Sequence, residues 1–198
     1  LQEAELTTRK AIELKPDFAE AHFNLGVVLN DIGQLKEAEN SLRKAIDLSP
    51  NLFNYHLLLG TILIRQNKIK EAEISTRKTI ELKPDLAYAH FNMGSILRNL
   101  GKLKEAEISY QKAIELKPDF LEAHVFLGIV LRRLNKLDES LNNFKKAIGF
   151  KKDHKIALSE MGRVLILKDN YKDGIQKLRE GHGSIIFDHS NHSMRINS

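Results

Sequence analysis

Four histidines, His22, His56, His90 and His124, stand 34 residues apart. Five arginines, Arg65, Arg98, Arg132, Arg133 and Arg163, fall on the first halves of successive units and cluster toward the C-terminal ones. Neutral imidazoles ligate Zn²⁺ and guanidiniums grip carboxylates through paired hydrogen bonds, so both sets suggest chemistry. Histidines one repeat apart are separated by roughly a helix-pair spacing, too far to share a metal with bonds of about 2.1 Å. Their expected role is packing between helices, with no metal and no cofactor. The arginines gather toward the C-terminal half while Glu20 and Asp31 lie early, so a partner with an acidic segment is expected to be favoured there. The simpler role for a cation near the C-terminal end of a helix is to complement the helix dipole.

What must position these side chains is legible from the same period. All four prolines keep it, at Pro16, Pro50, Pro84 and Pro118, as do Gly26, Gly60, Gly94, Gly128 and Gly162. A fixed step of this size is the signature of a stacked repeat array with one quasi-linear core. Of the 198 residues, 42% are hydrophobic and 29% charged, which suits a folded chain and not a disordered one. The formal charge of +5 is a mild bias that points to no nucleic-acid partner. No apolar run approaches the ~18 residues that span a bilayer, so no membrane partner is expected. Zero cysteine removes disulfides and thiol chemistry and fits a cytoplasmic setting. The chain opens inside a repeat without a leading methionine, and is read as part of a longer protein.

Count places within a unit from Ala19. The first half puts Ala21, Leu25, Val28, Leu29 and Ile32 on one helical face, and the second repeats this with Leu35, Ala38, Leu42, Ala45 and Ile46. Gly33, Asn67, Gly101, Asn135 and Asp169 fall between the two helices, and these residue types tolerate the left-handed conformation that ends a helix. Each proline ends a second helix, and Asp17, Asn51, Asp85 and Asp119 are expected to start or cap the next. A glycine inside a helix costs about 1 kcal/mol against alanine. Its recurrence at the eighth place predicts close helix approach, against the small residues Ala38, Ala72, Ala106, Ser140 and Gly174. A further small set, Ala11, Ala45, Thr79, Ala113 and Ala147, lets successive units nest.

This pattern resembles the tetratricopeptide repeat family. Leu25, Gly26, Leu29, Ala38, Leu42, Ala45 and Pro50 occupy its marker positions, with His22 where tryptophan is commonest. The unbroken 34-residue step and regular proline argue against the RNA-reading 35-residue pentatricopeptide array. The expected fold is all-α, a right-handed superhelical solenoid of antiparallel helix pairs. Residues 1–18 supply the second helix of a truncated unit, and full units run 19–52, 53–86, 87–120 and 121–154. A degenerate unit covers 155–182, where Lys152 replaces the proline, and a non-repeat tail follows over 183–198.

The resemblance implies that first helices line a concave, peptide-binding groove. On that basis the groove residues are Phe23, Asn24, Leu57, Arg65, Tyr88, Phe91, Asn92, Arg98, Phe126, Arg132, Arg133 and Arg163. Asn24 and Asn92 stand where the tetratricopeptide region of O-linked N-acetylglucosamine transferase-like proteins carries a backbone-gripping asparagine ladder. Leu58, Phe126 and Glu160 break it here. Phe23 and Val27 replace the lysine and asparagine of the family's terminal-carboxylate clamp.

In the tail, Ser184–Phe187 reads as a short strand or latch, with Ile185, Ile186 and Phe187 covering the open end of the stack. His182, His189, His192 and Asp188 lack a scaffold for a metal. No phosphate loop or nucleophile elbow is present, so the chain is expected not to be an enzyme. The function expected is a protein-interaction scaffold for an extended or helical peptide. The alternative is a substrate-recruiting arm of a larger enzyme, such as a glycosyltransferase. Self-association through the ends near Leu1–Leu14 or Leu165–Leu178 is a third expectation.

Overall fold

The computed structural model of the chain describes residues 2–182, 185–188 and 193–196. It divides into two compact units, one ending at Leu100 and the other beginning at Gly101. The first holds α1 (Gln2–Leu14), α2 (Ala19–Asp31), α3 (Leu35–Leu48), α4 (Phe53–Arg65), α5 (Ile69–Leu82) and α6 (Ala87–Asn99). The second holds α7 (Leu103–Leu116), α8 (Leu121–Arg133), α9 (Leu137–Phe150), α10 (Lys155–Leu167) and α11 (Tyr171–His182). Two strands follow, β1 (Ile185–Asp188) and β2 (Ser193–Ile196), paired antiparallel with Ile185 opposite Ile196. The all-α helix-pair architecture therefore forms as expected up to His182. The expected strand forms too, but within a hairpin whose second arm carried no signal in the sequence. β1 touches α11. His189 and His192, and the side chains of His182, Ile185, Ile186, Phe187 and Asp188, lie outside the described residues.

The turns between paired helices follow from the left-handed residues. Gly33, Asn67, Gly101, Asn135 and Asp169 all have φ between 60° and 83°. After Ile32 this lets the Gln34 amide reach back to the Leu29 carbonyl at 2.8 Å, and Lys68 to Leu63, Lys136 to Leu131 and Asn170 to Leu165 at 2.9 Å. Those bonds satisfy carbonyls that the helix end would leave orphaned. Where one pair ends and the next begins, Pro16 and Asp17 are the centre of a turn closed by the Phe18 amide on the Lys15 carbonyl, 3.1 Å. Proline pre-sets the backbone angle that this turn needs. Lys152 and Asp153 make the same turn without it, closed by His154 on Lys151 at 3.2 Å.

The expectation that Asp17, Asn51, Asp85 and Asp119 start or cap the following helices is corrected. The N-cap residues are Phe18, Leu52, Leu86 and Phe120, none with a side-chain cap bond. The acids are spent in the turn one residue earlier. His154 does cap α10, its ring Nδ1 accepting from the Ala157 amide at 3.2 Å.

The eighth-place glycines do mark close approach. At Gly162 a β carbon would lie 2.7 Å from the carbonyl oxygen of the expected small residue, Gly174, while at three others a larger side chain comes nearest. A β carbon on Gly26 would lie 2.8 Å from Leu42 Cγ, and one on Gly60 would lie 2.9 Å from Thr76 Oγ1. On Gly128 it would lie 2.7 Å from Phe144 Cε1. The side chain at the twenty-fourth place fills the space, and the small residue at the twentieth place admits the backbone beside it. Ser140 shows this directly, its hydroxyl donating to the Gly128 carbonyl at 2.7 Å. Around these contacts the first unit buries Leu25, Leu29, Leu42, Leu59, Ile62, Leu63 and Ile96, and the second Val125, Phe144, Ala147, Ala157 and Val164.

Ion pairs stitch successive second helices together on the outside. In the first unit Arg9 binds Glu5 at 2.9 Å and Glu37 at 3.2 Å, and Arg43 binds Glu39 and Glu71. Glu39, with a side chain only 7% exposed, also takes Lys68 at 2.6 Å. Burial pushes its carboxyl up, but the hydrogen bonds from Lys68 and Arg43 outweigh that and hold it below the ordinary 4.5. A carboxyl lowered on folding stabilises the folded state above its unfolded value, and that contribution fades as pH falls through the folded value. Stability measured by urea denaturation is therefore expected to decline below about pH 4.5, and Glu39→Gln to shallow that decline. An unchanged slope in the variant would exclude Glu39 as a source of acid sensitivity.

Packing is tested by a pair of alanines. Gly128→Ala is expected to cost about 1–3 kcal/mol, because its methyl meets the Phe144 ring. Gly149→Ala in α9, which meets nothing within 4 Å, is expected to gain about 0.5–1 kcal/mol. Equal effects in urea melts would remove close approach as the reason for the glycines.

Candidate functional site: the first-helix faces

In the first unit α2, α4 and α6 lie side by side and bring several of the expected groove residues together. Phe23 of α2 stacks on Tyr55 of α4, ring centroids 4.7 Å apart and planes 21° apart. Tyr55 is buried, and that burial, with Glu20 nearby, pushes its hydroxyl pKa up. Phe23 thus joins the core as much as the surface. Arg65 donates from Nη1 to Asn30 Oδ1 at 2.5 Å, linking α4 to α2. Asn92 of α6 donates from Nδ2 to Thr61 Oγ1 at 2.9 Å, while the Thr61 hydroxyl donates to the Leu57 carbonyl at 3.0 Å.

The two asparagines of the expected ladder consequently differ. Asn92 is buried and ties α6 to α4, whereas Asn24 is exposed. Leu57 and Phe91 are half-buried, and Tyr88 is 48% exposed. Leu57 and Thr61 are four residues apart on α4, and Tyr88 and Asn92 four apart on α6. The Asn92–Thr61 bond therefore sets these two helical stripes edge to edge. Arg98, near the end of α6, is half-buried.

In the second unit the corresponding face is made by α8 and α10. Phe126 stacks on Tyr110 of α7, with centroids 6.1 Å apart and planes 15° apart. Arg132 donates from Nε to Glu160 Oε2 at 3.0 Å, and Arg163 from Nη1 to Glu160 Oε1 at 2.7 Å. Glu160 is 8% exposed. Arg133 is exposed. The arginine group is thus built around an internal carboxylate that was read from sequence only as an interruption of the ladder. A signal for it exists: Arg132 and Glu160 are 28 residues apart, the same separation as Arg9–Glu37 and Arg43–Glu71. The expected arginine set is divided, with Arg65 and Arg98 in the first unit and Arg132, Arg133 and Arg163 in the second.

The in-register histidines have a single explanation. His22, His56, His90 and His124 each place Nε2 against the carbonyl of the proline six residues earlier, at 2.8, 2.7, 2.8 and 3.0 Å. Each ring donates to a carbonyl of the turn that follows the preceding helix. Leu158 takes the histidine place in the last pair, where Lys152 has replaced the proline. His124 is the most enclosed, with Nδ1 also 2.9 Å from Asn143 Oδ1. Two clefts of the first unit, about 390 and 440 Å³, also obey the period. Ile12, His22 and Lys44 line one and Ile46, His56 and Lys78 the other, and neither includes an expected groove residue.

Tandem helix hairpins closed by left-handed turns, with a mixed apolar and polar first-helix face, define an α-helical repeat protein. Models of the tetratricopeptide repeat match residues 19–52, 87–120 and 121–154, just over half of the chain. The chain belongs to the tetratricopeptide repeat family. No curated protein sequence matches it. Among solved structures it is similar to YrrB, described as a TPR protein with an unusual peptide-binding site. That likeness has a TM-score of 0.70 at 24% identity over 88% of this chain and 90% of that one. MamA from Desulfovibrio magneticus RS-1 gives a TM-score of 0.74 at 18% identity, over 84% and 97%. The APC/C hetero-tetramer Cut9-Hcn1 gives 0.81 at 18%, covering 91% of this chain and 36% of that one. These likenesses show the fold. Among the described residues no helix is long and apolar enough to cross a membrane.

Removing the His124 ring strips a donor from the Pro118 carbonyl and leaves a cavity at a residue 2% exposed. His124→Ala is therefore expected to destabilise by about 2–4 kcal/mol. His22→Ala, at a less enclosed ring, is expected to cost about 1 kcal/mol. Urea melts of the two variants decide, and equal losses would show that enclosure of the ring is not what matters.

Proposed function

We propose that this chain is a non-catalytic protein-interaction scaffold whose first-helix faces hold an extended or helical peptide carrying an acidic segment. The observation that carries this reading is the edge-to-edge placement of the α4 and α6 stripes. Leu57, Tyr88 and Phe91 present apolar surface there that the core does not fully consume. Amphipathic aromatics in that state give large contact area at little entropic cost and are the side chains that dominate peptide interfaces. Asn24, exposed on α2, offers both donor and acceptor, suited to a peptide backbone whatever its sequence. The peptide-binding site of the similarly folded YrrB supports the same assignment.

A random peptide display library panned against the chain tests the reading, with selected peptides measured by calorimetry. Tyr88→Ala and Phe91→Ala are each expected to weaken binding about tenfold or more. Ile74→Ala, at a residue 70% exposed on a second helix, is expected to change nothing. Peptides bound equally by all three variants would place the binding surface elsewhere.

A further inference from the structure

We propose that Arg132, Arg133 and Arg163 form a seat for a side-chain carboxylate of the peptide partner, with Glu160 as the positioning residue that shapes it. This rests on the peptide-binding reading of first-helix faces above and concerns the α8–α10 face of the second unit alone.

The geometry starts from the buried carboxylate. Each Glu160 oxygen holds one arginine, Oε2 taking Arg132 Nε at 3.0 Å and Oε1 taking Arg163 Nη1 at 2.7 Å. The two guanidiniums thereby converge on a common carboxylate and come close to each other. Arg132 binds inward through Nε, which leaves both of its terminal amino groups beyond that bond. The Arg163 side chain is 46% exposed and the Arg132 side chain 25%, so both reach solvent from the Glu160 contact.

Charge decides what such a site accepts. Two guanidiniums are bonded to one carboxylate, a local excess of one positive charge, and Arg133 follows Arg132 in the chain. Arg133, the neighbour of Arg132, is exposed and has no ion pair among the described residues. Two cations held against one anion repel each other, and a second anion relieves that repulsion while taking up the remaining N–H groups. The planar fork of guanidinium matches the two coplanar oxygens of a carboxylate, the shape that Glu160 already presents from within. An aspartate or glutamate side chain of an extended peptide can approach from solvent, where a bulky or neutral group leaves donors unpaired.

Glu160 provides the decisive test, because two accounts predict opposite signs. If the site acts only through its summed charge, Glu160→Gln removes a negative charge and tightens an acidic peptide. If Glu160 positions the arginines, the same change releases them and weakens the peptide.

The experiment takes a peptide selected from the display library and its counterpart with every Asp and Glu changed to Asn and Gln. Calorimetry is run against the 198-residue chain, Glu160→Gln and Arg133→Gln/Arg163→Gln, with folding checked by circular dichroism. The acidic peptide is expected to bind the unaltered chain about tenfold more tightly than its amide counterpart. Amidation of its C-terminus is expected to leave this preference intact. Both variants are expected to lose it. Tighter binding by Glu160→Gln, or a preference surviving Arg133→Gln/Arg163→Gln, overturns the proposal. Should Glu160→Gln fail to fold, the exposed Arg133/Arg163 variant decides alone. Peptides bound without regard to their acids leave the peptide-binding reading standing and remove the seat. A library that yields no binder removes both.

Discussion

The rest of this structure depends on one steric constraint: the two helices of a pair approach so closely that the first has no room for a β carbon at its eighth place. Gly26, Gly60 and Gly128 each face a twenty-fourth-place side chain at a distance where an added carbon would overlap it. The glycine costs helix propensity, and close packing offsets that cost by bringing Leu42, Thr76 or Phe144 into contact with bare backbone. Once the pair is clamped in this way, the faces of its first helix are assigned. One stripe must enter the core, and the stripe bearing Tyr88, Phe91 and Asn92 borders the neighbouring first helix. The face proposed to hold a partner is thus a by-product of the contact that carries stability.

A second set of interactions joins helices within and between pairs and is mostly polar. Imidazoles donate to proline carbonyls, left-handed turns return amides to the last turn of a helix, and arginines bridge to carboxylates one repeat later. Each satisfies a group that would otherwise be stranded where one element ends and the next begins. Their energies are individually modest, and the exposed ion pairs contribute least. Their consequence is orientation. Glu160 illustrates it, since the bond that ties α10 to α8 also aims two guanidiniums outward from one buried point.

Much of this was legible from residue types alone. The period delivered the helix pairs, the five left-handed turn residues and the positions of the proline turns, because each rests on a local backbone requirement. The capping acids were misread for an instructive reason. Asp17 and its equivalents have the chemistry of a cap, but the proline turn consumes their place and a hydrophobic residue stands at the helix start. The small residues opposite the glycines were read in part: Gly174 does meet Gly162, but the period shows that space is needed and not which larger side chain fills it at Gly26, Gly60 and Gly128.

For the candidate site, the sequence supplied the expected residues and the tertiary structure supplied their contacts. Phe23, Asn92, Phe126, Arg132 and Arg163 were all placed on first helices correctly, yet each proves engaged with a neighbour: Tyr55, Thr61, Tyr110 and, for both arginines, Glu160. The sequence by itself determined the fold, because hydrophobic period, turn residues and glycine spacing act through near neighbours and recur identically in every unit. Only the tertiary structure decided which polar groups are spent inside the protein and which remain for a partner. Apart from Glu160–Arg163, three residues apart on one helix, the polar pairs of the first helices join residues 28 to 35 positions apart across neighbouring helices, a matter of side-chain reach.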